Sequence, residues 1–290
     1  MKHDAVTMTP DELYTRHFNL RERPFTLVPD PSFLFWTNQH KRAYSVLEFG
    51  LISRAPITLI TGEIGSGKTT LLQNLLNRLD DDLTIGLISN SQGGRGELLQ
   101  WVLNALTIDI KPSDNYVAMF QNLQQFVINE YAAGRRVVLI IDEAQNLSEE
   151  SLEELRMLTN INSNKDELLQ LILVGQPELN DIVRSPQMRQ LAQRVAANFF
   201  LKGMDCETTA AYVAHRLKVA GGTGEEFTAA ACAAVYSATA GIPRLVNQLS
   251  ELALLYAWGS EENVVTDETV QQVLDDDVFF GRVERTEDVT

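Results

Sequence analysis

The hydrophobic and polar positions of this chain change rhythm once, near residue 205. Before that point two patterns alternate. From Asn38 to Leu51 the apolar positions Ala43, Val46, Leu47, Gly50 and Leu51 recur at helical spacing. "PITLIT" (56–61) follows as a strand, then a helix over 67–79, then "LTIGLIS" (83–89) as a second strand. "ELLQWVLNAL" and "YVAMFQNLQQFVINEYAA" predict two helices. "RVVLIID" (136–142) is a continuous apolar run, the pattern of a parallel strand covered on both faces. "SEESLEELRMLTNI" carries acid in its first turn, where the helix dipole favours it. "LLQLILVG" (168–175) predicts another buried strand and "ANFFLK" (197–202) a shorter one.

After residue 205 the strands stop. Residues 207–220, 228–240, 243–258 and 266–275 all have helical periodicity. The expected fold class is therefore α/β: a parallel sheet flanked by helices, followed by a small all-helical domain. The expected divisions are 1–204 for the N-terminal segment and sheet domain, 205–277 for the helical domain, and 278–290 for an acidic, unstructured tail.

Composition narrows the class. The 290 residues are 44% hydrophobic, enough for one large or two modest cores. No apolar run approaches the roughly 18 residues of a membrane span, and "MKHDAVTMTPDEL" lacks a signal-peptide core, so the expectation is a soluble, cytoplasmic chain. The net charge of −15 disfavours general binding to polyanions such as DNA. "HKR" (40–42) and Arg135-Arg136 are short enough to be solvated surface. Cys206 and Cys232 form no CxxC pair, and His3, His17, His40 and His215 have no metal-ligand spacing.

Chemistry enters with "TGEIGSGKTT" (61–70), which lies between a strand and a helix. It fits G-x-x-x-x-G-K-[ST] on Gly62, Gly67, Lys68 and Thr69. The backbone N–H groups of Gly62, Glu63, Ile64, Gly65, Ser66 and Gly67 can close around phosphate oxygens, with the positive end of the next helix behind them. Lys68 can reach the β- and γ-phosphates, the Thr69 hydroxyl can ligate Mg²⁺, and Thr70 falls beside the α-phosphate. "VVLIIDEAQ" (137–145) then ends a buried strand in two carboxylates, a costly placement unless something offsets their charge. A Mg²⁺–nucleotide would do so, with Asp142 on the metal and Glu143 polarising the attacking water. A glutamate directly after that aspartate favours an ATPase over a kinase or GTPase. The string "NSNKDE" (162–167) has the wrong spacing for a guanine reader. Three function classes follow: an ATP-hydrolysing switch, a DNA-associated regulator, and a non-enzymatic nucleotide-binding scaffold.

"TGEIGSGKTT", "VVLIIDEAQNLS", "LILVGQPEL" and "GIPRLVNQL", with the opening block "FNLRERPFTLVPDPSFLFWTNQHKRAYSVLEFGL", resemble the AAA+ ATPases of the ExeA/GspA (general secretion pathway protein A) group over roughly residues 14–275. The resemblance implies a P-loop AAA+ core with a helical lid. It implies ATP and Mg²⁺ as cofactors. It implies Gln176 as the sensor 1 residue, Arg194 as an arginine finger entering a neighbouring subunit with Arg189 as the rival, and Arg244 as the sensor 2 arginine. Arg23-Pro24-Phe25 would lie on the adenine side. It also implies a nucleotide-dependent homo-oligomer and a protein partner in a secretion or exopolysaccharide-export complex, peripheral to the inner membrane. A transposition-helper type of DNA-associated regulator is the alternative, although no helix-turn-helix segment follows the helices.

Overall fold

A computed structural model describes residues 14–28, 30–78, 82–89, 97–163 and 166–283. In chain order the elements are α1 (Asn38–Ile52), β1 (Ile57–Gly62), α2 (Lys68–Leu76), β2 (Leu83–Ile88), α3 (Glu97–Ala105), α4 (Tyr116–Ala132), β3 (Arg136–Ile141), α5 (Glu149–Leu158), β4 (Asn162–Ser163), β5 (Asp166–Glu167), β6 (Leu169–Gly175), α6 (Pro177–Arg184), α7 (Arg189–Ala192), β7 (Val195–Leu201), α8 (Cys206–Val219), α9 (Ala229–Thr239), α10 (Pro243–Gly259) and α11 (Asp267–Asp275). Several helix starts fall where a side chain can accept an orphan N–H. Asn115, Ser148, Asp205 and Thr228 each accept from the backbone N–H three residues on.

These elements form two compact units. One contains Asn38–Glu63 and Gly67–Leu201. The other contains the described residues up to Thr37, the segment Ile64–Ser66, and the described residues from Lys202 onward.

The first unit is the parallel sheet, in the order β2-β3-β6-β1-β7. Every residue of β1 and β6 is buried, and the two strands are apolar but for Thr58 and Thr61 in the first and Gln170 in the second. The order matters for the site. β6 lies between β1 and β3, and the register pairs Leu173 with Ile141 on one side and Leu59 on the other. The carboxyl ends of all three strands therefore stop at nearly the same level, the usual place for a ligand in an open parallel sheet. Asn162–Ser163 and Asp166–Glu167, the two ends of "NSNKDE", form the small antiparallel pair β4–β5, an element absent from the sequence reading.

The second unit packs the four C-terminal helices on an N-terminal segment. Tyr14, Phe18, Leu20, Phe25 and Phe33 share one apolar core with residues of α8 to α11. The structure thus groups the described N-terminal residues with the helices, whereas the sequence reading had attached them to the sheet. Arg216 of α8 anchors the segment. Its guanidinium is buried, donates to the Pro24 carbonyl (2.5 Å) and the Tyr212 hydroxyl (2.9 Å), and lies 4.6 Å from the Phe33 ring centre. Tyr212 in turn donates to Asn247 of α10. The unstructured tail expected from residue 278 does not begin there. Phe279 is buried in this core and the Val283 N–H donates to the Ala238 carbonyl, while residues 284–290 lie outside the described residues.

Arg216→Ala leaves the Pro24 carbonyl and the Tyr212 hydroxyl without their charged donor. Chemical denaturation followed by circular dichroism is expected to show a loss of about 2 kcal/mol or more. An unchanged midpoint would mean the guanidinium does not secure the segment.

Candidate functional site at the strand ends

Three strand ends build the site. β1 runs into the loop 62–67, β3 into Asp142-Glu143, and β6 into Gln176. The loop turns because Gly67 adopts φ +101°, a conformation that side-chain-bearing residues rarely hold, and α2 starts at the next residue. A Cβ built on Gly67 would lie 2.6 Å from His40 Nε2, so the imidazole rests directly against the loop. The sequence reading had placed His40 on solvated surface with Lys41 and Arg42. Those two are exposed, but His40 is half-buried.

Lys68 is the first residue of α2 and is only 6% exposed. Its ammonium donates to the carbonyls of Gly62 (2.7 Å) and Glu63 (2.9 Å), folding the side chain back over the loop. Burial pulls its pKa below the usual lysine range, opposed by the charges of Glu143 and then Asp142. Thr69 Oγ1 donates to Asp142 Oδ2 at 3.4 Å. The two motifs, 73 residues apart in sequence, therefore meet. Burial is also the main reason that the Asp142 carboxyl is raised above its usual range, with the Glu143 N–H acting against it through a 2.9 Å bond to Oδ1. A hydroxyl and a carboxylate are the hard oxygen donors that suit Mg²⁺, and the buried ammonium beside them suits a polyphosphate. The residues present therefore fit such a group.

Glu143 occupies the left-handed region at φ +55°. Its Oε2 accepts from Gln145 Nε2 (2.6 Å) and from Gln176 Nε2 (3.1 Å). The structure thus brings Gln176 to the acidic pair. Gln145 is a site residue that sequence reasoning does not single out, although it stands in the same "DEAQ" string as the acidic pair. Asn180 of α6 also reaches this end of the sheet and donates to the Thr61 hydroxyl.

The remaining expected residues lie elsewhere. Arg194, just before β7, is held within its own chain. Nη1 donates to Thr159 Oγ1 (2.9 Å) and Nη2 to Asn160 Oδ1. Arg189 opens α7 and is exposed. Ile64 is exposed and Ser66 buried. Glu63 and Thr69 are exposed, and Thr70 is half-buried on α2. Arg244 is exposed in the first turn of α10, after the Gly241–Pro243 break. Within the helical unit its N–H donates to the Gly65 carbonyl at 3.3 Å.

With this geometry in hand, the chain can be set beside known proteins. Residues 52–183 match a family described as an AAA domain. Over 257 residues the chain is 36% identical to general secretion pathway protein A of Aeromonas hydrophila, which covers 88% of this chain. The chain spans about half the length of that curated relative, 47%. Among solved structures the fold resembles Cdc6p from Pyrobaculum aerophilum, with TM-score 0.64 and 15% identity, over 88% of this chain and 73% of that one. It also resembles the Aeropyrum pernix ORC2 protein, solved in ADPNP–ADP complexes, with TM-score 0.59 and 16% identity over 87% and 71%.

The Gly67 geometry generates a test. The φ of +101° costs an alanine roughly 1–3 kcal/mol whatever the space around it, whereas the imidazole end can swing aside. Gly67→Ala is expected to lower stability by that amount in chemical denaturation, and adding His40→Ala is expected to recover little. Full recovery would locate the strain in the contact with His40 instead.

Proposed function

This chain belongs to the AAA+ ATPases, as a relative of general secretion pathway protein A over most of its length, and from that premise we propose that it binds ATP with Mg²⁺ and hydrolyses it. The observation that carries the proposal is the meeting of Lys68, Thr69, Asp142 and Glu143 at the carboxyl ends of β1 and β3, the two parallel strands that flank β6. Thr69 and Asp142 would hold the metal, which when bound neutralises charge on the phosphate oxygens. The loop N–H groups from Gly62 to Thr70 take the phosphates. The Lys68 ammonium leaves the Gly62 and Glu63 carbonyls for the β- and γ-oxygens, where it stabilises charge as the terminal phosphoryl departs. The Glu143 carboxylate accepts the proton of the attacking water, and Gln176 holds that carboxylate. Arg244 serves as the lid residue that responds to the γ-phosphate.

Arg194 is proposed as the arginine offered to a neighbouring subunit. Its bonds to Thr159 and Asn160 must then break, or turn with it, on assembly. The biological role we propose is a nucleotide-driven oligomeric switch that serves a secretion or envelope-export complex from its cytoplasmic side. Among the described residues no helix is long and apolar enough to cross a membrane.

Glu143→Gln is expected to lower steady-state phosphate release about 10²-fold or more with Mg·ATP affinity retained. Equal rates would remove Glu143 from this role. Arg194→Ala is expected to bind Mg·ATP normally and to assemble in size-exclusion chromatography, yet to lose turnover roughly 10³-fold, with Arg189→Ala near wild type. The reverse ranking of the two variants would transfer the role to Arg189.

A further inference from the structure

Gln145 lies two residues beyond Glu143 and makes two bonds at once. Its Nε2 donates to Glu143 Oε2 at 2.6 Å and its Oε1 accepts the Gln176 backbone N–H at 2.9 Å. The second bond fixes the first. An N–H can only face the amide oxygen, so the NH₂ end must face the carboxylate, and the orientation of the amide is determined by its neighbours. Gln176 closes the ring with its own Nε2 on the same oxygen of Glu143.

The surroundings keep Gln145 in place. A Cβ at Gly175 would come within 2.7 Å of Leu179 Cδ2, 2.8 Å of Gln145 Oε1 and 3.3 Å of the Gln145 backbone nitrogen, so the missing side chain leaves space that the amide and the leucine share. Glu143 meanwhile sits at φ +55°, ψ 37°, a conformation that costs a residue with a side chain and persists only when its surroundings hold it. Two amide donors on one carboxylate oxygen supply such a hold.

We propose that Gln145 is a positioning residue: through the ring Glu143–Gln145–Gln176 it ties the water-activating carboxylate to the end of β6, fixing its rotation so that Oε1 is the oxygen turned to the water. Gln145 touches neither nucleotide nor metal in this account and acts only through Glu143. The inference rests on the reading of Glu143 as the proton acceptor.

The test compares turnover of radiolabelled ATP and Mg·ATP affinity in wild type, Gln145→Met, Glu143→Gln and the double variant. Methionine keeps the length of glutamine and removes both bonds. Gln145→Met is expected to lower kcat 10- to 100-fold while KM and the calorimetric Kd stay within twofold. In the Glu143→Gln background it is expected to lower the residual rate no further than twofold. Gly175→Ala, which crowds the amide as well as Leu179 Cδ2 while leaving Gln145 present, is expected to reproduce the loss in kcat and gives a second route if Gln145→Met folds poorly. An unchanged kcat in both variants, a loss expressed in Kd, or a full further loss on top of Glu143→Gln would each overturn the proposal. If Glu143→Gln itself turns over at the wild-type rate, the reading of Glu143 falls, and this inference with it. If Glu143→Gln is slow and Gln145→Met is not, only the role of Gln145 falls.

Discussion

Charge at the end of dry strands is the constraint on which this structure depends. β1, β3 and β6 run through an interior from which water is excluded, and they deliver Lys68, Asp142 and Glu143 to one place. Burial penalises the ammonium and the Asp142 carboxylate alike. The ammonium is offset by both carboxylates and by the Gly62 and Glu63 carbonyls, and the Asp142 carboxylate by the Glu143 N–H and by Lys68, while the like charge of Glu143 works against it. Such a cluster is a poor way to gain stability. It is a good way to hold a site ready for a ligand that is itself a compact array of charge, and this is why we read it as a triphosphate site.

Strand order does the rest. Had β1 and β3 been direct neighbours, the loop and the carboxylates would have met with nothing between them. The inserted β6 brings Gly175 and Gln176 to the middle of the site. The small residue leaves room for one amide and the next residue supplies another, so the acidic pair is oriented from the side as well as from beneath. The helical unit solves a separate problem with similar means. There a single buried arginine gathers a backbone carbonyl, a tyrosine hydroxyl and an aromatic face, and fastens a segment whose regular structure among the described residues is one short 3-10 turn, Pro31–Phe33.

What could be read from the sequence divides along physical lines. Strands covered on both faces leave apolar runs with few polar interruptions, so β1, β3 and β6 were legible to within a residue or two. The phosphate loop and "DEAQ" were legible because their chemistry demands those residue types at fixed spacing. The membership of the N-terminal segment was not, because Phe18, Phe25 and Phe33 follow no period and their partners lie some two hundred residues away. The β4–β5 pair is too short to leave a pattern, and α6 and α7 were passed over although Pro177 marks a helix start. His40 and Gln145 were missed for a different reason. Nothing about a histidine or a glutamine in sequence says which loop or carboxylate it will meet once the sheet is assembled.

The central claim is that Thr69 and Asp142 share one metal with one nucleotide. It is tested most directly by titrating ATP calorimetrically with and without Mg²⁺, into wild type and into a Thr69→Val/Asp142→Asn double variant. The account predicts that removing the metal weakens ATP binding markedly in wild type and changes it little in the double variant. The same metal dependence in both proteins, or no binding heat in wild type under either condition, would contradict it.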